Sequence, residues 1–271
     1  MTTRSPPLVV YRGFIDKGKY TWSPYVTKLE FRFRHAGLRY VTEPGSPRSA
    51  PKGKIPYIDL APLLQQQDAA ANPTPQLLGD SSLIFDRLES MDCIPNLNEN
   101  LTDEQKLNDS AIRALCEDKL YFYNMREKWL DGKNFYVQRD KALWALPYPM
   151  RVVIGYMIHR GITQTLHGQG TGRFSDEEVK KFRADVWQSI DNVLKQRLKP
   201  SSSRSTKTEP AWVLGGEQPT EADATLFGFI VSALLSESNP ETRSLVKSLS
   251  GVMDYAGRIH RRFFPDYEVW E

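Results

Sequence analysis

Residues 224–235, Ala-Thr-Leu-Phe-Gly-Phe-Ile-Val-Ser-Ala-Leu-Leu, carry no charge and only two hydroxyl groups. A helix written this way has no face to turn to water, so other elements must enclose it on every side. That places it at the centre of a domain. Ahead of it, Thr220-Glu221-Ala222-Asp223 has the spacing of a capping box, with Asp where Glu or Gln is usual. Two more boxes, Thr102-Asp103-Glu104-Gln105 and Ser175-Asp176-Glu177-Glu178, each open a long helical pattern. The first pattern runs through Tyr121 and Trp129. The second carries Val179, Phe182, Val186, Ile190, Val193 and Leu194 in one apolar stripe. A last helix is expected over 241–260, closed by Phe263-Phe264-Pro265. Beyond residue 100 only Phe135-Tyr136-Val137 reads as a weak strand, so residues 100–271 are expected to form an all-helical domain.

The first 95 residues are patterned differently. Leu8-Val9-Val10-Tyr11 reads as a buried strand, and Pro24 to His35 as a helix with Pro in its first turn and Gly37 as its stop. Strands follow at 38–41, at 55–60 with Pro56 inside it, and at Leu77-Leu78; Gly79-Asp80-Ser81 then turns the chain into a helix over 82–91. The order β-α-β, a connection, then β-β-α is thioredoxin-like. The fold class expected is therefore α/β plus all-α: a thioredoxin-like domain over 1–95, then a helical bundle over 100–271. Residues 61–75, with three glutamines, an alanine run, Pro73 and Pro75, read as an inserted loop, and the Ser/Thr/Lys-rich stretch 200–209 as a surface connection.

Composition narrows the class further. The 271 residues include 36 basic and 33 acidic ones, a net charge of +3, too balanced to indicate a nucleic-acid partner. The two cysteines, Cys93 and Cys116, form no C-x-x-C pair and read as reduced thiols. The N-terminus lacks the apolar core of a signal peptide, and no stretch reaches about 18 apolar residues. A cytoplasmic protein is the expectation. His35, His159, His167 and His260 have no metal-ligand spacing, so no metal is expected. Gly168-Gln169-Gly170-Thr171-Gly172 lacks the Lys-Ser/Thr ending and preceding strand of a phosphate loop.

Ser23 stands at the start of the first helix, ahead of Pro24 and Tyr25. Unpaired N–H groups and the helix dipole favour an anion there. A serine before an N1 proline is also an ordinary helix cap. Both readings are open from the residues alone.

Four short motifs, in order and at their spacing, carry a family resemblance. They are Ser23-Pro24-Tyr25; Lys54-Ile55-Pro56-Tyr57-Ile58; Gly79-Asp80-Ser81; and Pro219-Thr220-Glu221-Ala222-Asp223 with Leu226-Phe227-Gly228. Over residues 8–265 the chain resembles the cytosolic glutathione transferases, in particular the fungal-type subgroup related to failed-axon-connections and metaxin-like proteins. The resemblance implies a cis Pro56, with Lys54, Ile55, Pro56, Asp80 and Ser81 holding glutathione. It implies that Ser23 donates a hydrogen bond to the glutathione thiolate, with Tyr11, and after it Tyr20, as rivals. A cysteine in place of Ser23 would allow mixed-disulfide chemistry; its absence leaves conjugation or addition. The hydrophobic electrophile, an epoxide such as a trichothecene in the closest resemblance, would then be detoxified among Tyr25, Tyr121, Trp144, Tyr148 and Tyr156, with Tyr123 and Met125 beside them. The alternative is a non-catalytic, transferase-like interaction protein. The 61–75 insert exceeds the tight hairpin usual at that place, which leaves a homodimer open.

Overall fold

The structure, a computed structural model, describes residues 7–14, 17–67, 74–198 and 211–270. Its first part is a four-stranded sheet of β1 (Leu8–Tyr11), β2 (Tyr40–Glu43), β3 (Tyr57–Asp59) and β4 (Leu77–Gly79), ordered β2-β1-β3-β4. β1 pairs in parallel with β2 and antiparallel with β3, Val10 opposite Ile58; β3 pairs antiparallel with β4, Tyr57 opposite Gly79. Leu8 and Val10 point to one face, where they bury against Leu29 and Phe33 of helix α1 (Pro24–His35) and Ile84 and Leu88 of helix α3 (Ser81–Ser90). This is a thioredoxin-like sheet.

The second part is helical. Helix α4 (Asp103–Ala114) begins at a complete capping box: Thr102 Oγ1 accepts from the Gln105 N–H at 3.3 Å, and Gln105 Oε1 accepts from the Thr102 N–H at 2.9 Å. It runs through a wider i→i+5 stretch, Leu115–Leu120, into α5 (Tyr121–Leu130). Then come α6 (Gly132–Ala142), α7 (Tyr148–Gln169), α8 (Asp176–Leu198), α9 (Glu221–Leu235), α10 (Pro240–Ser248) and α11 (Ser250–Phe263). No helix among the described residues is long and apolar enough to cross a membrane.

Helix α9 is enclosed as its composition requires: every residue from Ala222 to Leu234 is buried. Its capping box is fully used. The Asp223 carboxylate accepts from the Thr220 N–H at 2.8 Å, from the Val213 N–H at 2.7 Å and from the Tyr255 hydroxyl at 2.8 Å, tying α11 to the start of α9. Burial pushes this carboxyl up to about 6 against those bonds.

Helix α1 is buried on both sides. Leu29 and Phe33 belong to the sheet core, while Phe31 joins the helical core with Trp187, Trp212 and Phe227. The polar residues between them are buried as well, so each finds a partner: Lys28 Nζ lies 2.8 Å from Glu117, and Arg32 lies 2.7 Å from Glu89 and 2.8 Å from Glu221. Glu30 lies 3.5 Å from Arg12 and accepts the Tyr267 hydroxyl at 2.9 Å. Arg34 forks onto both oxygens of Asp266.

Four expectations need correction. Residues 61–67 form a short helix, α2 (Ala61–Gln67), rather than irregular loop; residues 68–73 lie outside the described part, as does the 200–209 connection. Phe135-Tyr136-Val137 is helical, inside α6, because Asp131 caps that helix by accepting from the Lys133 N–H at 3.0 Å. The helix expected over 241–260 breaks at Leu249, whose extended backbone (φ −94°, ψ 96°) separates α10 from α11. Helix α7 has no counterpart in the sequence pattern: of its 22 residues only Gly155 and Leu166 are buried, so no apolar stripe marks it.

The tightest constraint in the fold is Gly228 on α9. A Cβ there would run into the Pro24 carbonyl oxygen and sit 3.2 Å from the Lys28 nitrogen, both on α1. Because the obstruction is backbone, Gly228→Ala forces the two helices apart and is expected to lower stability by at least about 1–3 kcal/mol in urea unfolding. A variant as stable as wild type would show that α1 and α9 do not need this approach.

Candidate functional site

One cavity of about 780 Å³ opens between the sheet and the helical part. Its floor is the first turn of α1. Pro24 occupies the first helical position and Ser23 the cap, with extended backbone (φ −84°, ψ 117°). The Ser23 side chain accepts no capping hydrogen bond, and among the described residues its hydroxyl has no partner. The ordinary role of a serine at this position is therefore not taken up, and the hydroxyl is left half-buried at the cavity. Helix α9 sets the height of this turn twice: Gly228 admits the Pro24 carbonyl, and Ser232 Oγ donates to the Trp22 carbonyl at 2.6 Å.

Beside this turn the Ile55–Pro56 peptide is cis, and Lys54, Ile55 and Pro56 all line the cavity. Asp80 and Ser81 come to the same wall at the start of α3. Asp80 does cap the helix, accepting from the Ser82 N–H at 3.1 Å, and it does so with φ +80° and ψ 120°, a conformation that side chains rarely adopt. Ser81 is buried, and its hydroxyl has no hydrogen-bond partner among the described residues. Ser23, Lys54, Ile55, Pro56, Asp80 and Ser81, drawn from three separate places in the sequence, thus surround one space.

The opposite wall is α5. Tyr121, Met125 and Lys128 recur at helical spacing, so one stripe of the helix faces the cavity, flanked by Phe122 and Trp129. Tyr25 closes the gap, packed at 5.8 Å on Tyr121 and edge-on at 6.0 Å against Phe229 of α9. Burial holds the phenols of Tyr25 and Tyr121 above their ordinary range. Sequence reasoning missed Trp22, Glu117, Asp118, Lys128 and Trp129; the signal available was the 121–125–128–129 periodicity of a helix whose other neighbours were already named.

Several residues expected at the site are elsewhere. Tyr11 stacks on Tyr57 at 4.4 Å and is not on the cavity wall; burial raises its phenol. Tyr20 is enclosed by Phe227, Phe264, Tyr267 and Trp270, with its hydroxyl 2.9 Å from His260 Nδ1, and burial raises its phenol strongly. Tyr123 packs on Phe182. Tyr148 and Tyr156 are more than half exposed, under Arg139 and against Phe135 respectively, and Trp144 is 40% exposed near them. These three lie around α6 and α7, off the cavity wall. An aromatic residue's identity does not tell which way its helix turns it.

Comparison with known proteins bears on the fold that carries this cavity. Residues 24–134 match the family described as glutathione S-transferase N-terminal domain. Human metaxin-2 is 22% identical over 240 residues, covering 84% of this chain and 77% of that protein. Among solved structures, glutathione transferase GSTFuA3 from Phanerochaete chrysosporium superposes with a TM-score of 0.54 at 18% identity, covering 98% of this chain and 99% of that one. A glutathione transferase family member from Pseudomonas fluorescens, solved with two glutathione molecules bound, superposes with a TM-score of 0.54 at 13% identity, covering 97% and 92%. The chain has the glutathione transferase fold: a thioredoxin-like sheet followed by a helical domain.

The Asp80 geometry yields a paired expectation. Asp80→Ala loses the cap on Ser82 and puts a Cβ-bearing residue without a compensating bond at φ +80°, so about 1–3 kcal/mol of stability should go. Asp80→Gly loses the same cap but tolerates the backbone, and should lose clearly less. Equal losses in thermal unfolding would refute the backbone argument.

Proposed function

We propose that the protein is a glutathione transferase that joins the glutathione thiolate to a hydrophobic electrophile, an epoxide such as a trichothecene being the leading substrate class, in a cytoplasmic detoxifying role. The observation that carries this reading is the Ser23 hydroxyl, standing at a helix start, spared from capping and presented to a cavity. A thiol there gains a hydrogen bond and the field of the helix N-terminus, and such sites bring thiol pKa values from about 8.5 down to between roughly 3.5 and 7.5. The protein then has no covalent bond of its own to make. It holds the nucleophile, excludes water and positions the electrophile.

Glutathione fits the remaining wall by type of group. The peptide edge at Ile55–Pro56 offers backbone donors and acceptors to its cysteinyl unit. Ser81, at the N-terminus of α3, offers a hydroxyl and N–H groups to its γ-glutamyl carboxylate, and Asp80 offers an acceptor to its amine. Lys54 supplies positive charge nearby. The α5 wall, with Tyr121, Phe122, Met125 and Trp129, suits an apolar second substrate.

A second reading rests on the similarity to metaxin-2: a transferase-shaped interaction protein without turnover. The two part company in a single experiment. Glutathione is titrated into the protein by calorimetry, and conjugation is followed with epoxides and aryl halides. The transferase reading expects binding, turnover, and at least a tenfold fall in kcat/KM for Ser23→Ala, about 1.4 kcal/mol in the barrier, with binding weakened less. No heat and no turnover would leave the interaction reading.

A further inference from the structure

Lys128 is the cation on the electrophile side of the cavity. It stands on α5 one turn beyond Met125 and two beyond Tyr121, half-buried, and lines the cavity among Tyr121, Phe122 and Trp129. Among the described residues it makes no hydrogen bond and no ion pair, which sets it apart from Lys28, buried in α1 and held at 2.8 Å by Glu117. A lysine beside Tyr121, Phe122 and Trp129 with no carboxylate in direct contact keeps its ammonium free to meet an oxygen that enters the cavity.

We propose that Lys128 is the proton donor for the electrophile's oxygen, and that the substrate class is an apolar molecule whose oxygen gains negative charge during thiolate attack, an epoxide above all. This rests on the transferase reading. The sulfur lone pair forms the new C–S bond, and the C–O bond of the epoxide breaks with its electron pair going to oxygen. The alkoxide takes a proton from the Lys128 ammonium, and the amine is reprotonated from water. The proton that glutathione gave to solvent on forming its thiolate balances the sum: one thiol and one epoxide give one hydroxy thioether.

The other donors nearby are poorer suited. The phenols of Tyr25 and Tyr121 are held above their ordinary range by burial, and the Ser232 hydroxyl is committed to the Trp22 carbonyl. Loss of water brings the Lys128 ammonium down to about 8, so it is mostly charged at neutral pH and yet a far better acid than an exposed lysine. The carboxylate that opposes this shift is Glu127, next to it on α5, itself bound to Arg183 at 2.7 Å and to the Glu241 N–H at 2.8 Å. The remaining charged groups on the cavity are Glu117, paired with Lys28, and Asp118 from the 115–120 stretch, Lys54 beside β3, and Asp80 at α3; α6 and α7 contribute the uncharged Gln138 and Thr165.

The test compares two glutathione acceptors. An aryl chloride expels chloride and needs no proton, whereas an epoxide does. In wild type, kcat/KM for the epoxide should fall as pH rises through about 8, as the donor loses its proton, while the aryl chloride shows no such fall. Lys128→Met should lower the epoxide-to-aryl-chloride ratio at least tenfold and abolish the alkaline limb. Lys128→Arg, which keeps the cation but does not titrate in this range, should abolish the limb too and guards against misfolding of the first variant. An unchanged ratio, or a limb that survives in both variants, overturns the assignment while leaving the transferase standing. Wild type that binds no glutathione and consumes neither acceptor overturns both.

Discussion

Everything at the site is measured from the contact between α1 and α9. Gly228 lets the two helices touch backbone to backbone, and Ser232, one turn further on, holds the residue before Ser23 by its carbonyl. Because α9 is enclosed on all sides, it has no freedom to shift and acts as the reference against which the first turn of α1 is placed. The sheet sets the other edge of the cavity through Ile55–Pro56 and Asp80–Ser81, and it too reaches the helical part largely through α1. One helix pair thereby couples the Ser23 side of the cavity to the α5 side.

The buried charges of α1 serve the same end. Buried ion pairs contribute little net stability, since desolvation offsets most of the attraction, but they discriminate sharply between arrangements. Lys28 reaches the stretch before α5, Arg32 reaches α3 and the start of α9, and Glu30 reaches Arg12 and Tyr267. A rotation of α1 about its axis would strand all three charges at once. The hydrophobic residues between them could repack; the charges could not.

Much of this was legible in the chain, and for identifiable reasons. A helix without a polar face must be central, and Thr220 and Asp223 mark its start by a local hydrogen-bond rule that needs no tertiary context. Ser23, Ile55–Pro56 and Asp80–Ser81 were legible through order and spacing, since each sits at an element boundary where Pro, Gly or a hydroxyl leaves a signature. What failed was direction. Tyr148, Trp144 and Tyr156 have the right chemistry for a binding wall, but α7 carries almost no buried residue to fix its facing. Phe31 and Phe33, two residues apart on a helix, point to opposite sides and serve two cores, and Arg32 between them is fully buried, a burial its charge does not announce. Lys128 carries no such signature, since a lysine in a helical stripe is ordinarily solvated, and only the assembled cavity brings it beside Tyr121 and Trp129.

The hydrogen bond from Tyr267 to Glu30 spans 237 positions of sequence. During synthesis the sheet strands and α1 leave the ribosome long before Tyr267 and Asp266 exist, so for most of that time Glu30 and Arg34 are without the groups that satisfy them in the finished molecule. The sheet and α1 are thus made well before the groups that complete them, and their polar residues wait on the C-terminal residues for partners.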